Sequence, residues 1–413
     1  MKKNQLVSAL ICALLISFPL FSHGQVPAIA LTKEQWKEDL QFLAKQLPKR
    51  HKNAFHTVSR QDFNLAVTRL DSTILFKKDH EILIGFMQII AMIGDAHTDL
   101  RLPPKTFHPY PFSLYLFGNE FRVIRTTAEY QKAIGAKLVA IGGVPADEVY
   151  KKVITLVAHE NDYWQKHIGT GFMSQAEILN SLEITSDLLS AEWTFQKRDE
   201  QFKIIAKAID FDEKPNWVTS LREAPIYRQR PGKLLWDSLL SESQTLYINF
   251  KGYPKSEDFK EISKQILRDI KVFSPKKIVI DFRLNPGGDM LLVRHHLLPE
   301  LKKFDEVKKG NLYVVIGRAT QSAAIANAID FKKEMNAILV GEPGGGRPKG
   351  YSENDEMILP NSKLKVSYST RFYSFLDSDV PALMPDKLIE PDWEIYPTGR
   401  DLILEWIIMQ PFK

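Results

Sequence analysis

Ser322 is the residue of this sequence whose position most clearly suggests chemistry. It lies in the stretch Gly317-Arg-Ala-Thr-Gln-Ser-Ala-Ala324, after an apolar run typical of a buried strand and before a segment that predicts a helix. A serine there lies beside unpaired backbone N–H groups and the positive end of the helix dipole, which suits a nucleophile that generates an oxyanion. The same position also suits an ordinary N-cap serine. The stretch is not a Gly-x-Ser-x-Gly elbow, because Thr320 and Ala324 occupy the glycine positions.

A second stretch, Asp281-Phe-Arg-Leu-Asn-Pro-Gly-Gly288, also follows an apolar strand pattern. Adjacent glycines allow close backbone approach, and the N–H groups of Gly287 and Gly288 could point at an anionic oxygen. An ordinary strand-to-helix turn is the alternative interpretation. Arg283 is expected to pair with a carboxylate and so to fix the loop.

His97 is the candidate base among the ten histidines, in the stretch Gly94-Asp-Ala-His-Thr98. It lies where a helical pattern ends and a β-rich pattern begins, and clefts often form at such junctions. His97 and Asp99 could form a metal pair, but the sequence has no other dense group of ligand residues near them. We therefore predict neither a metal site nor a cofactor.

A glycine-rich stretch, Gly341-Glu-Pro-Gly-Gly-Gly-Arg-Pro348, superficially suggests a phosphate-binding loop. Arg347 and Pro348 stand where that loop requires lysine and then serine or threonine. A flexible wall of a substrate groove is the better interpretation.

The N-terminus predicts export. Lys2 and Lys3 precede a mostly apolar run, Leu6 to Phe21, and small residues allow cleavage after Gly24. The run is shorter than a membrane span, so we predict a signal peptide at 1–24 and a periplasmic or extracellular protein. Cys12, the only cysteine, lies inside that segment, which excludes disulfides and cysteine nucleophiles from the mature chain.

The remaining composition excludes two classes of partner. A formal net charge of +5 is small for 413 residues and does not favour nucleic-acid binding. No later segment approaches the length of a membrane span.

Hydrophobic periodicity divides the mature chain into three regions. Residues 25–105 are predicted to form a helical module that carries His97, and residues 106–234 a β-rich middle region. Residues 235–413 alternate strands and helices, which predicts an α/β core with a mainly parallel sheet.

Taken together, the motifs resemble those of the tail-specific, or C-terminal processing, serine peptidases and their tricorn-like relatives. The resemblance covers most of the mature chain and rests on four segments in family order: Asp281-Phe-Arg-Leu-Asn-Pro-Gly-Gly288, Thr320-Gln-Ser-Ala-Ala324, Val340-Gly341-Glu342 and Ile389-Glu-Pro-Asp392. It implies a core of the Clp protease/crotonase class. Gly135 to Pro145 is similar to the carboxylate-binding half of a PDZ domain, so the middle region is expected to be partly PDZ-like.

The resemblance also implies peptide or protein substrates and assigns roles to individual residues. Ser322 is expected to attack the scissile carbonyl and form an acyl-enzyme. The backbone N–H groups of Ala323 and of Gly287 or Gly288 are expected to form the oxyanion hole.

The general base is expected to be His97. The processing branch of the family uses a lysine, but the matching position is Arg347, which stays protonated, and Lys349 falls two residues late. The tricorn-like branch takes a histidine from a Gly-x-x-His segment, which Gly94-Asp-Ala-His97 matches.

The acid that orients His97 is expected to be Glu353. Pro385 stands at the position of the tricorn-like glutamate, next to Asp386, and Glu353 is the preferred substitute. A non-catalytic protein that binds peptides or hydrophobic ligands on the same scaffold is the alternative function. Arg347 and the missing acid favour that alternative, whereas the intact serine segment and His97 favour a peptidase.

Overall fold

A computed structural model describes residues 31–412. The predicted signal peptide and Cys12 therefore lie outside the described residues. In chain order the α-helices are α1 (Lys33–Arg50), α2 (Arg60–Thr73), α3 (Asp79–Ala91), α4 (Ala146–Val153), α5 (Asp162–Phe172), α6 (Ala176–Ser181), α7 (Ser256–Phe273), α8 (Met290–His296), α9 (Leu298–Leu301), α10 (Asp305–Lys308), α11 (Ala323–Met335) and α12 (Leu402–Met409).

The strands complete a mixed α/β architecture. They are β1 (Leu100–Arg101), β2 (Phe112–Phe117), β3 (Glu120–Thr127), β4 (Lys137–Ile141), β5 (Val144–Pro145), β6 (Ser190–Lys197), β7 (Glu200–Lys207), β8 (Trp217–Thr219), β9 (Leu235–Leu240), β10 (Thr245–Phe250), β11 (Lys277–Asp281), β12 (Leu312–Ile316), β13 (Ile338–Gly341), β14 (Lys349–Ile358), β15 (Lys365–Ser374) and β16 (Lys387–Leu388).

The C-terminal region contains a six-stranded sheet in the order β16-β13-β12-β11-β10-β9. All its neighbouring strands pair in parallel except β9, which is antiparallel at one edge. Every residue of β10, β11 and β12 is buried, as expected for parallel strands whose two faces are covered. The predicted mainly parallel sheet is confirmed.

The N-terminal region is helical, as predicted. The Thr32 side chain accepts a hydrogen bond from the Gln35 backbone N–H, and the Gln35 side chain accepts one from the Thr32 N–H, forming a capping box at the start of α1. Trp36, Phe63 and Phe86 bring apolar faces of α1, α2 and α3 into one buried cluster.

The middle region forms a separate antiparallel sheet, β2-β3-β4-β6-β7, with β5 added to β4 and β8 added to β3. Alternating buried positions along β6 place Trp193 and Phe195 on the side that packs into the same apolar cluster as the N-terminal helices. The first two regions of the sequence therefore share a core.

The hairpin β14–β15 crosses the boundary predicted at residue 235. It belongs to the C-terminal region in sequence, yet β15 pairs with β1, where Leu100 lies opposite Val366. Met357, Leu359 and Val366 are buried in the cluster of the N-terminal helices. The hairpin thus ties residues near His97 to the C-terminal region. None of the helices within residues 31–412 is both long enough and apolar enough to cross a membrane.

Candidate active site

Ser322 lies in a tight turn between β12 and α11. Its backbone φ is 55°, a region that non-glycine residues rarely occupy. Its side chain makes no capping hydrogen bond to α11. Instead, Ser322 Oγ lies 2.9 Å from Nε2 of His97. A plain helix cap would have bonded the N2 or N3 backbone N–H, so the capping interpretation does not fit this side chain.

The loop after β11 braces the turn that carries Ser322. The Gln321 N–H donates to the Asn285 carbonyl at 3.1 Å, and the Thr320 hydroxyl donates to the Phe282 carbonyl at 2.8 Å. Arg283 pairs with Asp281 at 2.8 Å and with Asp401 at 2.9 Å, which confirms its expected structural pairing. The loop and the serine turn are therefore one braced unit.

His97 is held by its backbone. Its N–H donates to Asp95 Oδ1 at 3.1 Å, and its carbonyl accepts from the Ser367 hydroxyl of β15 at 2.7 Å. Asp95 is buried and also contacts His51 Nε2 at 2.8 Å and the Ser369 hydroxyl at 2.7 Å. Through these bonds, strand β15 of the hairpin positions the loop that carries the imidazole of His97.

The imidazole of His97 is suited to accept a proton. Burial lowers its pKa below the ordinary value, and the Arg101 charge lowers it further, while Asp95 acts in the opposite direction. A neutral ring with Nε2 facing Ser322 Oγ can take the hydroxyl proton as the oxygen attacks.

Glu160 is the carboxyl group that faces the other ring nitrogen. Its Oε1 lies 3.9 Å from His97 Nδ1, and its side chain is only 6% exposed. Nδ1 has no hydrogen-bond partner within residues 31–412. Burial raises the pKa of Glu160 to about 8, although the Arg347 N–H, at 2.8 Å from Oε2, lowers it. The carboxyl group is therefore largely protonated at neutral pH.

Sequence reasoning missed Glu160. It precedes α5 in a segment of the middle region, and it matches none of the motifs from which the site was predicted. Its only unusual property is burial of a carboxyl group, which the sequence does not display.

Glu353, the acid expected from the sequence, does not take this position. Its carboxylate contacts the Tyr373 hydroxyl and pairs with Arg371 at 3.2 Å. The physical reason lies in the local backbone, because Glu353 has a φ of 55° and its pairing with Thr370 is missing from a register that is otherwise unbroken along β14 and β15. Glu353 lines the cleft beside Ser322 without reaching the imidazole.

Ser352, the neighbour of Glu353, reaches the imidazole instead. Its Oγ lies 3.2 Å from His97 Nε2, so two hydroxyl groups approach one nitrogen. Sequence reasoning did not single out this residue, because its contact with His97, 255 residues away in the sequence, depends on tertiary packing.

The three residues predicted for the oxyanion hole surround Ser322. A Cβ on Gly287 would lie 2.7 Å from Ser322 Cβ, so a glycine is needed at this φ of 111°. The Gly287 N–H, however, already donates to Asn285 Oδ1 at 2.9 Å. Gly288 lines the cleft and Ala323 begins α11, so their N–H groups are the better candidate donors.

Neither basic residue of the glycine-rich loop approaches Ser322 as a base would. The Arg347 guanidinium pairs with Asp379 at 2.6 Å. Lys349 begins β14 and lines a separate cavity that also contains His56 and Asp379. The site thus combines Ser322 with His97, two residues that lie 225 positions apart in the sequence.

Comparisons with known proteins were made at the levels of sequence and structure. No protein-family model matches this sequence, and no curated protein matches it significantly. The structure is similar to mature CPAF complexed with lactacystin, with a TM-score of 0.59 and 11% identity over 92% of this chain and 97% of that one. A CPAF mutant gives a TM-score of 0.60 and 10% identity over 92% and 99%.

The photosystem II D1 C-terminal processing protease is also among the structural neighbours, with a TM-score of 0.41 and 12% identity over 90% of this chain and 98% of that one. The CPAF similarities span the helical module, the middle sheet and the α/β core. The chain therefore has the fold of the mature CPAF structures.

Proposed function

We propose that this protein is a serine-type peptidase in which Ser322 is the nucleophile and His97 the general base. The observation that carries the proposal is the 2.9 Å approach of Ser322 Oγ to His97 Nε2. The positive φ of Ser322 supports it, because strained backbone at a polar residue is concentrated at functional sites. The resemblance of four ordered motifs to tail-specific peptidases points to peptide bonds as the substrate.

In the proposed reaction, Ser322 Oγ attacks the carbonyl carbon while its proton moves to His97 Nε2. The N–H groups of Gly288 and Ala323 stabilise the negative oxygen of the tetrahedral intermediate. The imidazolium then protonates the departing amine, leaving an acyl-enzyme on Ser322. Water attacks that ester, gives its proton to His97, and the carboxylic acid product leaves as Ser322 Oγ regains a proton.

We assign Glu160 the role of the orienting acid. Its Oε1 lies on the Nδ1 side of the ring, and an ionised carboxylate there would stabilise the imidazolium. The 3.9 Å separation is longer than a hydrogen bond, and catalytic contacts commonly shorten when substrate binds. Because the pKa of Glu160 is about 8, the pair is expected to work best at alkaline pH.

The proposal also covers the class of the fold and the cellular location of the protein. The parallel sheet from β10 to β13 is assigned to a Clp protease/crotonase-like core, and the middle sheet to a partly PDZ-like module. The basic and apolar N-terminus supports export to the periplasm or the extracellular space.

A fluorophosphonate probe tests the proposal directly, because it reacts with activated serines. Wild type is expected to label, and Ser322→Ala and His97→Ala are expected to lose labelling by several orders of magnitude in rate. Ser241→Ala is the matched control, since Ser241 is exposed and precedes β10 at the opposite end of the parallel strands. Absence of labelling in folded wild-type protein would support a non-catalytic binding protein instead.

A further inference from the structure

A second cavity, of about 440 Å³, opens on the other side of Ser322. We call it the apolar cavity, because large hydrophobic side chains form most of its wall. These include Met87, Ile90, Leu102, Leu156, Trp164 and Phe172. Such a composition and volume are typical of a pocket that binds an apolar group.

Three segments build most of this cavity. They are the end of α3, the residues around β1, and the segment from Leu156 through α5. Ile90 and Leu156 are almost fully buried in the apolar cluster of the N-terminal helices, so this part of the wall is firmly packed. The cavity is therefore a preformed feature of the fold.

The cleft on the first side of Ser322 carries more charged side chains. We call it the charged cleft, and its volume is about 480 Å³. Its wall includes Asp289, Arg347 and Arg371 beside the apolar Met290 and Phe375. His97, Gln321 and Ser322 border both spaces. A chain bound with its carbonyl at Ser322 would thus have the apolar cavity on one side and the charged cleft on the other.

Gln321 lies at the boundary between the two spaces. It is only 4% exposed, and its Nε2 has no hydrogen-bond partner within the described part of the chain. A buried amide donor without a partner is unfavourable, and a substrate carbonyl oxygen would satisfy it. The side chain therefore has an unused donor next to the nucleophile.

We propose that the apolar cavity binds a large apolar side chain, such as that of Phe, Leu, Met or Trp, at one of the two positions that flank the scissile bond. Gln321 Nε2 donates to a main-chain carbonyl of the same peptide. This inference rests on the proposed peptidase function and names its substrate class. Charged side chains are disfavoured in the cavity, because they would lose hydration against its mostly hydrophobic wall.

The test uses the mature protein and a mixture of peptides in which the residues on both sides of a central position are varied. Cleavage products identified by mass spectrometry are expected to show large apolar residues enriched at one flanking position. Matched peptides with Phe and with Gly there should differ on the order of 100-fold in kcat/KM. Cuts without an apolar preference at either flanking position would overturn the inference.

Variants of the cavity wall sharpen the test. Ala158 lines the cavity and is half-buried, so Ala158→Trp is expected to fill it. Cleavage of the Phe peptide should fall at least tenfold, whereas cleavage of the Gly peptide should persist. Ala224→Trp is the matched control, since Ala224 is exposed in the segment between β8 and β9.

A second variant covers the case in which Ala158→Trp fails to fold. Leu102→Glu adds a charge to the half-buried rim, and the Phe peptide should again lose at least tenfold in kcat/KM. Unchanged selectivity in this folded variant would contradict the inference.

Labelling by a small fluorophosphonate separates this inference from the proposed function. The probe needs an activated Ser322 but no large side chain in the cavity. If the wild type is labelled but cleaves without a preference for apolar residues at the flanking positions, the cavity assignment alone is refuted. Loss of labelling in wild type would refute the peptidase proposal.

Discussion

The hydroxyl of Ser352 lies 3.2 Å from Nε2 of His97, the nitrogen that Ser322 Oγ approaches at 2.9 Å. A neutral imidazole offers a single acceptor at Nε2, so the two hydroxyl groups compete for it. The competition arises because β14 places the Ser352 hydroxyl beside the imidazole, whereas the Glu353 carboxylate pairs with Arg371.

Removal of that competitor is expected to favour the nucleophile. Ser352→Ala should raise the fluorophosphonate labelling rate about two- to fivefold, as expected for the loss of one weak competing hydrogen bond. Labelling reactions stopped at successive times measure this rate, and Ser362→Ala in the β14–β15 turn is the control. A 100-fold loss of labelling would show instead that Ser352 positions the imidazole.

Activity is expected to rise with pH through the titration of Glu160. Its pKa is about 8, so the carboxylate that stabilises the imidazolium forms mainly above that pH. Wild-type kcat/KM should increase between pH 7 and pH 9, and Glu160→Gln should abolish the increase while reducing kcat on the order of 100-fold at pH 9. An unchanged pH profile in Glu160→Gln would exclude Glu160 as the acid.

The same carboxyl group should lower stability at high pH. Its pKa in the folded protein exceeds the ordinary 4.5, so the unfolded state releases the proton first and unfolding becomes easier as pH rises from about 5 to 8. Glu160→Gln should therefore be more stable than wild type at pH 8, by on the order of 4 kcal/mol, and much less so at pH 5. Urea unfolding at the two pH values provides the measurement. A larger gain at pH 5 would contradict the assigned direction.

Glu353 supplies a matched comparison for Glu160. Its carboxylate pairs with Arg371 on an exposed stretch of the hairpin, away from the ring nitrogens of His97. Glu353→Gln should change kcat less than about threefold, because an exposed ion pair contributes little. Peptide hydrolysis by both glutamine variants, run side by side, distinguishes the two carboxyl groups. A greater loss in Glu353→Gln than in Glu160→Gln would restore the acid expected from the sequence.

Gly287 is expected to tolerate no side chain. A Cβ there would approach Ser322 Cβ to 2.7 Å at a φ of 111°, which is unfavourable for alanine. Gly287→Ala should therefore slow labelling of Ser322 at least 100-fold, because small displacements of a nucleophile are costly. Gly232→Ala is the control, as no atom lies within 4 Å of a Cβ at that position. Normal labelling of Gly287→Ala would show that the turn can relax.

Local sequence patterns determined much of this protein. The apolar runs that precede the Ser322 stretch and the Asp281 stretch are the strands β12 and β11, as predicted. Burial of both faces requires a continuous apolar run, so such strands are visible in the sequence itself. The family motifs also indicated Ser322 as the nucleophile and His97 as its general base.

Only the tertiary structure decided how the site is assembled. Ser322 and His97 are 225 residues apart, and the approach of their side chains depends on how β15 joins β1 and braces the loop around Asp95. Glu160 and the apolar cavity depend on packing between distant segments. The positive φ of Glu353 changes no hydrophobic period. Such contacts arise from the meeting of separate elements, and a pattern read along one segment contains no information about them.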